Sequence, residues 1–314
     1  MNELVLTGLD GGNPLGFLAA LGTLRILSRP NSVSDIRMSW QAIGSWRPVL
    51  HFCEKTPTPD ELVKKLQQAF PNRECYVSEN LASNAADTER TWRGKLKFSR
   101  EAYRQYLTCC GQTQGRESEY AATWGSDAWT EVDKGKSRIQ KSVFDFTSGQ
   151  QQFLTMMFEI IERSTIDDVK NALFQSWDYS SPPPSLRWDP LDEGRRYALH
   201  AFDPTQTSKN PIRCVRGANR LAIEGLPMLP AIPVAGGTVT TGMIHSKRAT
   251  YWSWPIWSGA IDYNVIRSLL GLSQIHKEIF DRSELAKMGI CEVYRSSVVK
   301  PTGRYRNFTP AQPV

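Results

Sequence analysis

Two periods of apolar residues run along this chain and predict its elements. Positions 4–6 read as a short strand and the polar, glycine-rich 8–13 as a turn. Over 15–27, Leu18, Leu21, Leu24 and Leu27 recur every third position, with Phe17 and Ala20 widening the stripe into a helix face. Pro14 stands where that helix starts, a place where its missing N–H costs nothing. Ala19, Ala20 and Gly22 are small enough to let another element approach closely. Residues 38–52 are strand-like. A helix follows over 57–70 with Asp60 as its expected cap, and another at "SREAYRQYLTCC" with Ser99 as cap.

The stretch "GQTQGRESEYAATWGSDAWTEVDKGKSR" has no clear period and reads as a long exposed excursion. In "DFTSGQQQFLTMMFEIIERS", Phe153, Met156, Met157, Ile160 and Ile161 form one helix face, with Thr147 or Ser148 as the expected cap. A second helix starts at Thr165, with Asp168 reaching back to complete a capping box. The triple proline 182–184 breaks the helical run, and "RRYALHAF" reads as a strand. "LAIEGLPMLPAIPVAGGTVTTG" has the prolines and glycine pair of edge strands and turns. "NVIRSLLGLSQI" and "SELAKMGI" read as helices, and "CEVYRSSVVKPTGRYRNF" as two strands around a Lys-Pro-Thr-Gly turn. The expected class is α+β: mixed helices with small antiparallel sheets and a C-terminal β-hairpin. The best domain boundary falls near 180–185, dividing a mostly helical 1–180 from a basic, strand-richer 181–314.

Composition narrows the class. The chain has 314 residues, 40% hydrophobic and 22% charged, enough to bury a substantial core. No apolar run approaches the ~18 residues that would span a membrane, and the opening lacks the basic n-region of a signal peptide. The six cysteines form no CxxC pair, so reduced thiols in a cytoplasmic protein are expected, without a cysteine-bound metal. Net charge is +6 but uneven: residues 205–314 hold 14 Lys+Arg against 6 Asp+Glu, a net of +8, which leaves −2 for the rest. That asymmetry favours a C-terminal surface for a polyanion.

Enzyme signatures fail. Gly135-Lys136-Ser137 would end a phosphate-binding loop, but position 130 is threonine, not the required glycine. Ser297-Val-Val-Lys300 sits on a strand-like run rather than at a helix start. The four histidines, His51, His200, His245 and His276, have no metal-site spacing. Asp189, Asp192 and Glu193 could hold Mg²⁺, or form ion pairs with Arg187, Arg195 and Arg196. No catalytic residue, metal or cofactor is expected.

Nucleic-acid signals are stronger. In the terminal hairpin Arg304 and Arg306 alternate onto one face, and Arg295 and Lys300 can join them along a phosphate backbone. "CVRGANRLA" places Arg213, Arg216 and Arg220 around Gly217, where backbone can approach a phosphate. "HSKRATYWSWPIW" sets His245, Lys247 and Arg248 beside Tyr251, Trp252 and Trp254, an arrangement that suits base stacking. For the tryptophans taken alone, a core strand next to a solvated basic turn is the favoured reading.

The opening "GLDGGNPLGFLAALGTLRIL" resembles the N-terminal signature of CRISPR-associated proteins of type I-G (formerly I-U) systems. These have a short strand, a Gly/Asn/Pro turn and a helix of the form P-L-x-x-[YF]-L-x-A-L-G-x-L-R. The match here is Pro14, Leu15, Phe17, Leu18, Ala20, Leu21, Gly22, Leu24 and Arg25, within the first 30 residues or so. "DFTSGQQQFL" and "YRNFTPAQ" are also family-like blocks. The family includes the large Cascade-type subunit and an extension of the helicase-nuclease. The resemblance implies a non-catalytic subunit of an RNA-guided effector in antiviral defence, bound to target DNA, guide RNA or both. Its other partners would be further effector subunits and the helicase-nuclease, with no membrane. Such large subunits contact a short duplex motif while guide pairing reads the remaining sequence. Two other classes stay open from the residues alone: a metal-dependent nuclease using Asp189, Asp192 and Glu193, and a protein-interaction subunit that never touches nucleic acid.

Overall fold

The computed structural model describes residues 2–29, 35–77, 94–113, 115–133, 135–147, 149–191, 213–246, 249–299 and 306–314. Strand β1 (Asn2–Val5) leads through the glycine turn into α1 (Pro14–Leu27). Asn13 caps α1 by accepting from the Leu15 and Gly16 N–H groups, with Pro14 in the first turn. All fourteen residues of α1 are buried. A helix apolar nearly all round has no solvent face to offer, and the rest of the chain wraps it.

On one side lies a three-stranded antiparallel sheet in the order β1-β3-β2, from β2 (Arg37–Ile43) and β3 (Ser45–Phe52). On another lies a C-terminal sheet, β8-β9-β10-β11, made of β8 (Met243–His245), β9 (Thr250–Trp257), β10 (Ile290–Val299) and β11 (Asn307–Phe308). Strand β12 (Gln312–Pro313) also pairs with β10. The two sheets meet at Phe17 of α1, whose ring packs on Trp40, Trp252, Trp254 and Trp257 within 6.4 Å. The three β9 tryptophans are therefore core, as the favoured reading of that strand has it, and they are not available for base stacking.

The helices α2 (Pro59–Ala69), α3 (Arg100–Thr113), α4 (Arg116–Trp124), α5 (Phe153–Arg163), α6 (Ile166–Phe174) and α7 (Arg216–Gly225) gather on the other flank of α1. α1 and α7 touch backbone to backbone. A Cβ at Gly22 would lie 1.8 Å from the Leu221 carbonyl oxygen, and one at Gly225 would lie 2.5 Å from that of Leu18. Two hairpins, β4 (Gly125–Asp133) with β5 (Lys136–Lys141) and β6 (Ala231–Val234) with β7 (Gly237–Thr240), lie side by side. They are joined where the Thr238 N–H donates to Gln140 Oε1 at 2.7 Å. Helices α8 (Tyr263–Leu270) and α9 (Arg282–Lys287) belong to the C-terminal part, where Leu285 joins Ile275, Ile290 and Val293 in a small satellite core.

The class is α+β, and the main buried cluster crosses the expected 180–185 boundary, joining Leu18 and Tyr120 with Leu221 and Trp252. Several local expectations change. Thr58, not Asp60, caps α2, in a capping box with Glu61. α5 starts at Phe153 behind Gln152, without a side-chain cap. The supposed excursion folds into α4 and the β4–β5 hairpin, because Tyr120, Ala121 and Trp124 bury one side of a helix too short to show a period. "LAIEG", the start of the run read as edge strands and turns, is instead the end of helix α7. The Thr165–Asp168 capping box forms as expected. "RRYALHAF" lies outside the described residues. All six cysteines are free thiols, and no helix among the described residues is long and apolar enough to cross a membrane.

Candidate nucleic-acid interface

The sequence-selected cations fall into three groups. Arg220 is interior, a correction to its reading as a phosphate contact. Its side chain donates to Glu224 Oε1 at 2.5 Å one helical turn on, and its guanidinium stacks on the Phe70 ring at 3.8 Å. Gly217, expected to admit a phosphate, packs on the backbone instead, since a Cβ there would lie 1.9 Å from the Asp168 carbonyl oxygen.

Arg213 and Arg216 come together at the start of α7 and tie it to the chain before it. Arg213 donates to the Ser180 carbonyl at 2.6 Å. Arg216 donates to the Arg163 and Pro182 carbonyls and lies 3.7 Å from the Asp168 carboxylate. Arg295, on β10, donates to Ser253 Oγ at 2.8 Å and to the Lys277 carbonyl at 2.6 Å, fastening the segment after α8 to the sheet. These three guanidiniums already hold chain to chain.

Of the third group Arg306 is described, and it lies at one end of the C-terminal sheet, next to Asn307 of β11. His245, Thr250, Val298 and Phe308 form a single row across β8, β9, β10 and β11. The connection carrying Lys247 and Arg248 leaves beyond this row between β8 and β9, with Ser246 and Ala249 hydrogen-bonded to each other at 2.9 Å. The connection carrying Lys300 and Arg304 leaves beyond the same row, flanked by the Val299–Asn307 pair. These four cations lie outside the described residues; the described residues that flank them, His245 and Thr250 on one side and Val298 and Phe308 on the other, belong to the same row of the sheet. The two segments, 246–249 and 300–306, hold Lys247, Arg248, Lys300, Arg304 and Arg306 and no acidic residue.

Arg306 shares with His245 the wall of an open groove of about 420 Å³. The opposite wall is the β6–β7 turn, where Gly236 at φ +88 takes a left-handed conformation and offers bare backbone. Lys141 lines the groove too, with Asp145 as its ion-pair partner, and Glu131 supplies one carboxylate. The His245 Nδ1 hydrogen-bonds Thr250 Oγ1 at 3.2 Å. Burial, and then the Arg306 charge, hold the imidazole below its ordinary range, so it is neutral near pH 7. An anion between His245 and Arg306 would meet one fixed and one inducible positive charge.

The opening turn is occupied by structure. Asp10 Oδ1 accepts from the Gly12 N–H at 2.8 Å, and Trp254 Nε1 donates to the Gly11 carbonyl at 2.8 Å. Asn13 Nδ2 donates to Asp189 Oδ1 at 3.2 Å. Asp189 is buried, and its Oδ2 accepts from the Tyr179 hydroxyl at 2.9 Å. The suggested metal ligand thus bonds to the opening turn, while Asp192 and Glu193 lie outside the described residues. Among the described residues no group of three His, Cys, Asp or Glu is placed to hold a metal ion.

Sequence reasoning missed that β4 and β5 line the groove with Glu131, Gln140 and Lys141, because that segment read as an excursion. It also missed the buried partners of Arg25 and Arg220, for which Arg220–Glu224 at i, i+4 was the one local signal. No protein-family model, curated protein or solved structure matches the chain.

Proposed function

We propose that the chain is a non-catalytic, nucleic-acid-binding subunit of a type I CRISPR effector complex, large-subunit-like, acting in antiviral defence in the cytoplasm. It contacts target DNA or guide RNA through the end of the C-terminal sheet and other effector subunits through further surfaces. The observation that carries this reading is the shared row His245–Thr250–Val298–Phe308. It brings the described flanks of two segments that hold no acidic residue, 246–249 and 300–306, to one row beside the groove that holds Arg306. Runs of Lys and Arg without acidic neighbours are the electrostatic footprint of a phosphate-backbone site. The burial of α1 supports a scaffolding role for the opening segment, with its family-like arginine, Arg25, used inside the protein.

The test is a tagged pull-down from native cells, with bound RNA sequenced and co-purifying proteins identified. The reading predicts a discrete RNA with repeat-derived ends together with effector subunits. Recovery of neither would overturn it.

A further inference from the structure

A second site lies where α2, α5, α6 and α7 meet, and it shares no residue with the groove at the sheet end. It is a pocket of about 180 Å³ with apolar walls from Val63, Ile161, Ile166 and Val169, the polar Gln67, Ser164 and Thr165 at its edge, and Arg220 in its lining. That is small beside the ~300–1,000 Å³ of sites for larger ligands. It is close to the ~150 Å³ that accepts a benzene ring.

The charges behind the pocket do not balance. Arg25 and Arg220 share the wholly buried carboxylate of Glu224, and their side chains are only 2% and 4% exposed. Arg25 has a second carboxylate, Glu119, which also serves Arg29. Among the described residues three guanidiniums therefore meet two carboxylates, and Arg220 has only its share of Glu224. Tyr76 and Tyr120 add no negative charge: both donate to Glu224, and burial keeps their hydroxyls protonated. Among the described residues the hydrogen bond that Arg220 makes is the one from Nη1 to Glu224, while Phe70 covers one face of its guanidinium. A buried cation with half a counter-charge, lining a pocket with apolar walls, favours an anion whose body is apolar.

We infer that this pocket binds a small carboxylate carried on a compact apolar or aromatic body. The carboxylate meets the Arg220 guanidinium, and the body packs on Val63, Ile161, Ile166 and Val169. The inference does not depend on the nucleic-acid reading.

The test uses the whole protein and three probes: phenylacetate, its neutral isostere phenylacetamide, and inorganic phosphate. Calorimetry gives affinities, and methyl NMR of Val63, Ile161, Ile166 and Val169 gives location. Phenylacetate is expected to bind roughly tenfold or more tightly than the amide, as a charged hydrogen bond requires, and to shift those methyl signals. Ile166→Trp, which fills the pocket from its partly exposed wall, is expected to abolish binding, and Ser164→Phe does the same from the end of α5. Equal binding of acid and amide would overturn the inference, as would undiminished binding to a folded filled variant. So would no binding of phenylacetate at 10 mM, about a thousand times weaker than a 10 μM ligand. Phosphate binding as tightly as phenylacetate would also overturn it, since the apolar walls would then contribute nothing.

Discussion

The arginines at the α1–α7 contact and Arg306 at the end of the C-terminal sheet carry the same charge but have opposite uses. Arg25 and Arg220 are buried, sharing Glu224 with two tyrosine hydroxyls, and Arg220 meets open space only at the small pocket it lines beside Val63 and Ile166. Arg306 lines an open groove and forms no ion pair among the described residues. A guanidinium that has a carboxylate and a stacked ring has little left for a phosphate. One that faces a groove beside further acid-free basic segments has nearly all of its donors free. Positive charge in a sequence thus marks a polyanion site only where the fold leaves the charge unspent.

The comparison is broken most severely by removing the shared carboxylate. Glu224→Gln leaves Arg25 and Arg220 buried against a neutral group, and is expected to cost about 3–5 kcal/mol in urea unfolding. Arg306→Gln in the same assay should stay within about 0.5 kcal/mol of the parent. The Glu224 carboxyl is held below its ordinary range by Arg220 and Arg25, which outweigh its burial. Its contribution is therefore present above the usual glutamate pKa and lost as pH falls through the lowered folded value, and the Gln variant should lack that part of the acid unfolding.

Close packing gives the next effect. Gly22→Ala drives a Cβ into the Leu221 carbonyl and is expected to destabilise by about 1–3 kcal/mol. Gly111→Ala in α3 meets nothing within 4 Å and should stabilise by about 0.5–1 kcal/mol. Opposite signs in thermal unfolding would confirm that the α1–α7 contact, not helix propensity, sets the cost.

Arg295→Met sharpens the boundary between the two uses. It removes the bonds to Ser253 and Lys277, and about 1 kcal/mol of stability is expected to go with them. Nucleic-acid affinity should change less than in Arg306→Gln.

The smallest effect is on pH. Because His245 is neutral in the free protein, a bound anion must raise its pKa. Affinity for a short oligonucleotide should rise as pH falls below 6.5, by roughly fivefold for a charge pair near 4 Å in water. Without ligand the same depressed pKa works the other way: its share of stability is present above 6.5 and lost on acidification. His245→Gln should flatten both profiles.

Local signals in the sequence were sound where the cause was local. Asn13 and Pro14 start α1, Thr165 and Asp168 close their box, and β10 pairs with β11 across the terminal turn. What could not be seen depends on distant partners. Arg25 and Glu224 are 199 residues apart, and no period in either helix announces that they meet. Gly217 looked like a phosphate-binding turn until α6 occupied the space beside it. The β9 tryptophans stand next to cations in sequence, yet alternate cross-strand packing directs them into the core around Phe17. For the candidate site, the basic residues were legible but their sorting into spent and free was not. That sorting depends on which backbone and carboxylates the fold brings beside each one.

The most direct test of the central claim is the salt dependence of oligonucleotide binding. It compares the parent with Arg306→Gln, Lys247→Gln/Arg248→Gln and, as the opposite case, Arg213→Gln. Weaker binding is predicted for the first two, with the slope of log K against log salt shallower by about one for each phosphate that is no longer neutralised. Arg213→Gln should leave that slope unchanged. Parent-like slopes and affinities for the sheet-end variants, or weakening confined to Arg213→Gln, would contradict the claim.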